Sequence, residues 1–205
     1  MTNEQYQTKW DDRYRQPGFA YGKSPNHFFR EQLSQLPPGS ILMPADGEGR
    51  NGVYAATLGW QVTSTDLSTE GQTKALLLAK ELHTDLTYLT GDLEDLSFPP
   101  ASFDAIGLIY AHFLAEKKSP LHRQLNTYLK PGGIIIFEAF SKNHIANPQV
   151  GGPMEQDVLF SVEEIKNDFL NYEVLVLKEE EIELNEGVYH NGRGRVIRFM
   201  GRKGK

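Results

Sequence analysis

The chain contains no cysteine, which removes disulfides, thiolate metal sites and a cysteine nucleophile from consideration. It also lacks a long apolar run. The longest aliphatic stretch, Ile134-Ile135-Ile136-Phe137, is far too short to span a bilayer, so no membrane partner is expected. The opening Met1-Thr2-Asn3-Glu4-Gln5 has neither a basic n-region nor an apolar h-region; no signal peptide is expected, and a cytoplasmic location follows. An excess of positive charge is missing too. A formal net charge of −6 argues against broad capture of nucleic acid. The basic run near the end (Arg193, Arg195, Arg198, Arg202, Lys203, Lys205) is spread along a strand-like stretch and reads as a solvated sheet edge.

What is there is the composition of an ordinary globular protein in 205 residues, enough for one sizeable α/β domain and short of two. There is no internal repeat and no low-complexity linker. Short apolar runs alternate with helix-like stretches, the pattern of a parallel α/β sheet. Strands are expected at 40–43, 61–65, 86–89, 103–110, 134–139, 173–184 and 193–200. The run 134–139 reads as fully apolar, buried on both faces. Helices are expected at 27–36, 51–58, 69–83, 117–129 and 161–170, the last with Ser161 as N-cap and Glu163 and Glu164 in its first turn. Residues 143–157, with two prolines and Gly151-Gly152, read as a long loop. A turn at Asn185-Glu186-Gly187 or Asn191-Gly192 makes the last two strands an antiparallel pair.

The strongest signal lies between Ile41 and Ser68. A short apolar strand runs into Ala45-Asp46-Gly47-Glu48-Gly49-Arg50-Asn51, a helix follows, and a second strand ends on Asp66-Leu67. Gly47 and Gly49 permit a sharp turn and a close backbone approach to a ligand, and the helix N-terminus offers unpaired N–H groups at the same place. An acid about 20 residues beyond the loop suits a ribose diol, because carboxylate oxygens accept from both hydroxyls. A third strand then leads to Gly91-Asp92-Leu93 at the carboxyl edge of the sheet, where open α/β sheets bind ligands. Asp92 is placed to accept from an adenine amino group and Leu93 to pack on the ring. The rival reading is a structural turn with surface acids.

These blocks, with the strand ending at Tyr110 and Leu129-Lys130-Pro131-Gly132-Gly133 before the next strand, resemble the class I S-adenosylmethionine-dependent methyltransferases over residues 40–140. Trp10, Arg13-Tyr14, Tyr21-Gly22, Pro25-Asn26 and Phe28 resemble the opening of the tellurite-resistance and thiopurine methyltransferase-like subgroup. The loop Gly151-Gly152-Pro153 and Glu186-Gly187-Val188-Tyr189-His190 resemble a small set of bacterial members. The resemblance implies an α/β fold with a seven-stranded, mostly parallel Rossmann-like sheet, helices on both faces, and an antiparallel last strand inserted beside the fifth. It implies S-adenosyl-L-methionine as cofactor, held by Ala45, Asp46, Gly47, Gly49, Arg50, Asn51, Asp66, Leu67, Asp92, Leu93 and Tyr110. Residues 1–36 then form a lid and helix segment, 37–140 a cofactor-binding core, and 141–205 a substrate loop and strand pair. The chain departs from the family pattern in having Met43 where an acid is usual and Ala45 for the first glycine; Asp46 or Glu48 are candidates to replace the acid.

Methyl transfer from a sulfonium is an in-line displacement in which the cofactor carries the hard chemistry and the protein aligns the nucleophile and excludes water. No metal and no nucleophilic residue is needed. A thiol or chalcogen oxyanion needs little base help, whereas oxygen or nitrogen acceptors call for a general base. His112, two residues beyond Tyr110, is the first candidate for that base; its rival role is core packing. Tyr189-His190 is a weaker candidate, since hairpin turns carry such residues for solubility. Tyr21, with Trp10, Tyr14 and Phe19, forms either a lid or a hydrophobic anchor. Arg13 and Arg50 are candidates to bind an anionic acceptor or the cofactor carboxylate. The expected partner is a small-molecule acceptor, with the chain a monomer or weak homodimer. Two other functions remain open at this point: a non-catalytic protein that binds S-adenosylmethionine or S-adenosylhomocysteine, and a nicotinamide oxidoreductase, although the full dinucleotide fingerprint is missing.

Overall fold

A computed structural model of the chain describes residues 3–144 and 150–205. In chain order its elements are α1 (Asn3–Tyr14), α2 (His27–Leu33), β1 (Ser40–Pro44), α3 (Arg50–Thr57), β2 (Gln61–Asp66), α4 (Thr69–Glu81), β3 (Thr87–Thr90), β4 (Phe103–Ile109), α5 (Ala115–Tyr128), β5 (Leu129–Phe140), α6 (Val162–Asp168), β6 (Tyr172–Glu186) and β7 (His190–Lys203), with a 3-10 turn at Gln156–Val158. The strands form one sheet in the order β3-β2-β1-β4-β5-β7-β6. Strands β1 to β5 pair in parallel, and β7 runs antiparallel to both β5 and β6. This is the expected seven-stranded sheet, with its antiparallel last strand inserted beside the fifth. Among the described residues no helix is long and apolar enough to cross a membrane.

The two-residue period of the strands divides the core. Ile41, Met43, Ile134 and Ile136 pack with Phe28, Phe29 and Leu33 of α2, Val53 of α3, and Ala75 and Leu78 of α4. Leu42, Ile106, Leu108, Ile135 and Phe137 pack on the opposite face with Leu121 and Leu125 of α5 and Ile165 of α6. Polar side chains start the helices where the sequence suggests. The Asn26 carboxamide accepts from the Phe29 N–H. Ser161 and Glu164 form a reciprocal capping box at α6, satisfying two donors the helix leaves unpaired.

Four features differ from the sequence expectation. First, residues 3–14 are helical. The segment is too polar to show an apolar stripe; a few links hold it instead, with Tyr14 buried and Asp11 accepting from the Ser68 hydroxyl at the N-cap of α4.

Second, the stretch 134–139 is not fully apolar. It carries Glu138, with no exposed surface. The strand itself begins at Leu129, opposite Phe103, and resumes regular pairing only at Ile134 opposite Ala105, because Gly132 at φ +79° throws the intervening residues into a bulge.

Third, the basic C-terminal strand is no edge. β7 lies inside the sheet, and three of its arginines face glutamates of β6 in register: Arg202 opposite Glu173, Arg195 opposite Glu181, Arg193 opposite Glu183, while Arg198 stands opposite Lys178. Cross-strand pairing thus cancels the charge that the sequence alone left unopposed.

Fourth, neither expected turn closes the hairpin, which shares only Gly187 with the first. Asn191 pairs with Asn185 inside the ladder, and the hairpin turns at 187–189. In the expected loop 143–157, residues 145–149 lie outside the described residues.

Candidate functional site

The loop after β1 is built on backbone conformations that L-residues rarely adopt. Ala45, Gly47 and Gly49 have φ of +52°, +56° and +80°. The turn therefore requires glycine or its cost, as expected. The small size of these glycines also serves packing within the protein. A Cβ on Gly47 would lie 2.5 Å from the Tyr14 hydroxyl oxygen, and one on Gly49 2.4 Å from the Ala75 Cβ. It is α1 and α4 that crowd the loop. Met43, where an acid is usual, turns into the core, its Sδ packed so closely on Gly107 that a Cβ there would lie 2.6 Å away.

Both neighbouring acids line the cavity and already accept hydrogen bonds within the protein. The Asp46 carboxylate accepts from the Ser64 hydroxyl at 2.7 Å and the Gly52 N–H at 3.4 Å; burial raises its pKa to about 7 in spite of these donors. Glu48 accepts from the Ala20 N–H at 2.7 Å and from Lys74 at 2.8 Å, so it latches the N-terminal segment onto the loop. Asp66, at the end of β2, accepts from the N–H groups of Gly47 and Ser68, each at 2.9 Å. Burial raises its pKa to about 6 against the pull of those bonds.

A cavity of about 580 Å³ opens over the carboxyl ends of the parallel strands, within the range of small-ligand pockets. Its wall includes Ala45, Asp46, Gly47, Arg50, Asn51, Asp66, Leu67, Asp92, Leu93 and Tyr110. Arg13, Tyr21 and His112 line it as well. Of the candidate residues only Gly49 is absent from the wall, consistent with its packing on Ala75. Asp92 is ordered by the Glu94 N–H at 3.1 Å and stands 3.6 Å from the Lys117 ammonium. An acid at the end of β2, a second acid and a buried leucine beyond β3, and a loop of backbone groups beside them form a donor set that fits an adenosine carrying an amino-acid tail.

Residues 42–137 match a family model described as a methyltransferase domain. The match spans a little under half of the chain and marks its resemblance to that family. Comparison with curated proteins found no match in sequence. Solved structures share the fold at low identity. TehB from Haemophilus influenzae is 16% identical with a TM-score of 0.71, covering 96% of this chain and 66% of that one. A SAM-dependent methyltransferase from Methanosarcina mazei is 17% identical with a TM-score of 0.63, covering 88% and 99%. The [4+2]-cyclase SpnF is 16% identical with a TM-score of 0.69, covering 100% and 97%.

Beyond the loop, the chain presents a second group of side chains to the same cavity. Tyr21, Tyr110 and Phe140 surround His190, with ring centroids 4.5, 4.5 and 5.3 Å away. Arg13 lies over the rings of Trp10 and Tyr189, at 4.9 and 4.5 Å, and donates to the Tyr21 hydroxyl at 2.6 Å. Arg50 is committed elsewhere: it is buried and paired with Glu186 at 2.9 Å, so its charge is neutralised.

His112 points Nδ1 at the Val158 carbonyl, 3.3 Å away, while its buried Nε2 has no partner. Burial lowers its pKa to about 4. The ring is therefore neutral at pH 7 and weakly basic, set nearly parallel to Phe140.

Sequence reasoning overlooked the polar frame beneath this end. Asn26 donates to Glu138 at 2.7 Å and to Glu186 at 3.1 Å. Glu138 also accepts from the Tyr110 hydroxyl at 2.9 Å and from Arg198 at 2.5 Å. A buried carboxylate so surrounded is compensated, and it anchors Tyr110, whose φ of +52° is a strained value for an aromatic residue. A charged residue inside an otherwise apolar strand was the available signal for Glu138. Nothing local distinguishes Glu186. His190, ranked low because it stood in a hairpin, is buried.

Proposed function

We propose that the chain is an S-adenosylmethionine-dependent methyltransferase acting on a small, soft or anionic acceptor such as a thiol or chalcogen oxyanion. The observation that carries this reading is the continuity of the cavity, in which Asp66, Asp92 and Leu93 share one wall with Arg13, Tyr21, His112 and His190. When bound, the cofactor supplies an electrophilic methyl group on a sulfonium. Asp66 holds the ribose, Asp92 and Leu93 the adenine, and the backbone of residues 45–49 the methionine end. Arg13, flat between two aromatic rings with no carboxylate partner among the described residues, supplies positive charge for an anionic acceptor. The aromatic wall excludes water.

Membership of the tellurite-resistance and thiopurine methyltransferase-like subgroup is supported by the opening residues from Trp10 to Phe28 and by the fold shared with TehB. A second reading, a protein that binds the cofactor without turning it over, draws support from Met43 and Ala45 and from the engagement of both Asp46 and Glu48 elsewhere. The fold shared with a [4+2]-cyclase leaves room for it.

Calorimetry with S-adenosylhomocysteine and with nicotinamide dinucleotides, followed by a screen of thiol, oxyanion, amine and carboxylate acceptors, separates these. Cofactor binding with S-adenosylhomocysteine release supports methyl transfer. Binding without release from any acceptor supports the second reading. Tight dinucleotide binding alone overturns both.

A further inference from the structure

We infer that Glu186 and His190 form a carboxylate–imidazole dyad in which His190 Nε2 takes the proton of a protic acceptor as it is methylated. The inference rests on the methyltransferase reading above and deepens it, because it makes the acceptor one that arrives protonated, a thiol before an oxyanion.

The geometry assigns the tautomer. Glu186 Oε2 lies 3.2 Å from His190 Nδ1 and also accepts from Arg50 at 2.9 Å, while Oε1 accepts from Asn26. The His190 N–H and the Arg50 guanidinium overcome burial and hold the Glu186 pKa at about 2. An ionised carboxylate only accepts, so the proton of the neutral imidazole sits on Nδ1 and the lone pair on Nε2. Nε2 has no hydrogen-bond partner among the described residues, and the ring lines the cavity.

The other two histidines near Phe140 are less suited. His144 uses both nitrogens, accepting from the Arg195 N–H at 3.2 Å and donating to the Gly151 carbonyl at 3.3 Å. His112 has only a carbonyl behind it, so no carboxylate stabilises its imidazolium. In the reaction the acceptor X–H bonds through X to the methyl carbon. The carbon–sulfur bond breaks with its electron pair on sulfur, and the X–H pair stays on X. The proton passes to Nε2 and then to water. A positive charge leaves the sulfonium and appears on an imidazole backed by Glu186, so the site's net charge is unchanged.

The hairpin holds the dyad still. A Cβ on Gly187 would lie 2.5 Å from the Gly22 nitrogen, and Val188 donates to the Ala20 carbonyl at 2.9 Å. A Cβ on Gly151 would lie 2.0 Å from the Tyr189 carbonyl oxygen. The turn is therefore pressed between the N-terminal segment and the 151–153 loop.

The first test reads the protein alone. In ¹⁵N-labelled protein, with and without S-adenosylhomocysteine, His190 is assigned by its loss in His190→Gln. The Nδ1–H tautomer is expected at pH 7.5, and Glu186→Gln should shift it toward Nε2–H. A wild-type Nε2–H tautomer, or an imidazolium, overturns the dyad.

The second test compares two anionic thiols. 3-Mercaptopropionate is mostly protonated at pH 7.5 and 4-mercaptobenzoate mostly ionised. His190→Gln should slow product release from the first by about 100-fold, the lower range for a lost general base, and from the second by far less. The pH profile on 3-mercaptopropionate should lose its acid limb in the variant. Groups facing His190 that titrate or carry charge are Glu186, Arg50, Arg13, Tyr21, Tyr110 and His112, and all are retained.

Equal losses on both thiols overturn the base role. S-Adenosylhomocysteine affinity, measured on each variant, reports whether it is folded. If wild-type protein binds S-adenosylhomocysteine but methylates neither thiol, the thiol reading of the cavity falls, while the dyad stands or falls on the tautomer.

Discussion

If Asp66 holds the ribose as proposed, cofactor affinity should depend on pH through its carboxylate. Its carboxylate is drawn upward to a pKa of about 6 by burial, against the N–H bonds of Ser68 and Gly47. A ribose diol donates to the ionised form and so binds that form selectively. Affinity should be full above pH 7 and should weaken as the pH falls through about 6, where the free protein protonates. It should level off at the lower pKa of the complex. If the diol restored an ordinary carboxylate value of about 3.9, the shift of about 2 units would correspond to about 3 kcal/mol. Asp66 is only half-buried at the cavity wall, so solvent reduces this to about 1–2 kcal/mol, or roughly a tenfold weakening. Calorimetric titration of S-adenosylhomocysteine from pH 8 to pH 5, on wild type and Asp66→Asn, measures it. The variant should bind at least tenfold more weakly at pH 8, since hydrogen bonds to a charged acceptor contribute about 1.5–3 kcal/mol each. Its affinity should also lose the step near pH 6. Asp46, its pKa raised to about 7 by burial, also feels the Asp66 charge; the same titrations on Asp46→Asn separate its contribution. A wild-type affinity that is flat across the range, or an identical pH profile in the variant, would refute the ribose contact.

Three further outcomes follow from the backbone and the buried charges. Ala45→Gly should stabilise the fold by about 0.5–1 kcal/mol, seen as a higher Tm, because φ +52° strains any residue with a Cβ and glycine's extra unfolded-state freedom offsets only part of the gain. Gly187→Ala should cost about 2 kcal/mol, since it combines a positive φ of +70° with a Cβ driven against the Gly22 nitrogen and Ala20 carbonyl; hydrogen exchange should rise at 187–189 and 20–22 together, and exchange confined to the hairpin would contradict the clamp. Glu138→Gln should cost about 1.5–3 kcal/mol in denaturant unfolding, because it removes a charge-assisted hydrogen bond and leaves the half-buried Arg198 with Glu180 as its remaining carboxylate, and a loss below about 1 kcal/mol would show the pair to be expendable.

The sequence by itself determined the order of the strands and of the helices from α2 onward, and a glycine loop followed by acids beyond the second and third strands; the place of the last strand beside the fifth came from the family resemblance. Those features depend on signals within a few residues of one another: the apolar run Ile41-Leu42-Met43, a cap at Ser161, a glycine loop leading to an acid at the next strand's end. A polar helix such as α1 escapes this reading, because its hold on the molecule is Tyr14 and Asp11 reaching distant partners rather than a stripe. The buried polar frame at the other end of the cavity was decided by tertiary structure alone. Arg198 reaches Glu138 across 60 residues, Asn26 reaches Glu138 across 112, and Arg50 reaches Glu186 across 136. No pattern within a window of ten or twenty residues can announce such pairs. Each of these charges, taken in sequence, looks like a solvated surface group, and the free energy of burying it is acceptable only once the fold has brought its partner to within hydrogen-bonding distance. His190 shows the same limit. In sequence it is a turn residue, and it becomes a base candidate because the hairpin folds back onto residues 20–22 and presses its ring between Tyr21, Tyr110 and Phe140.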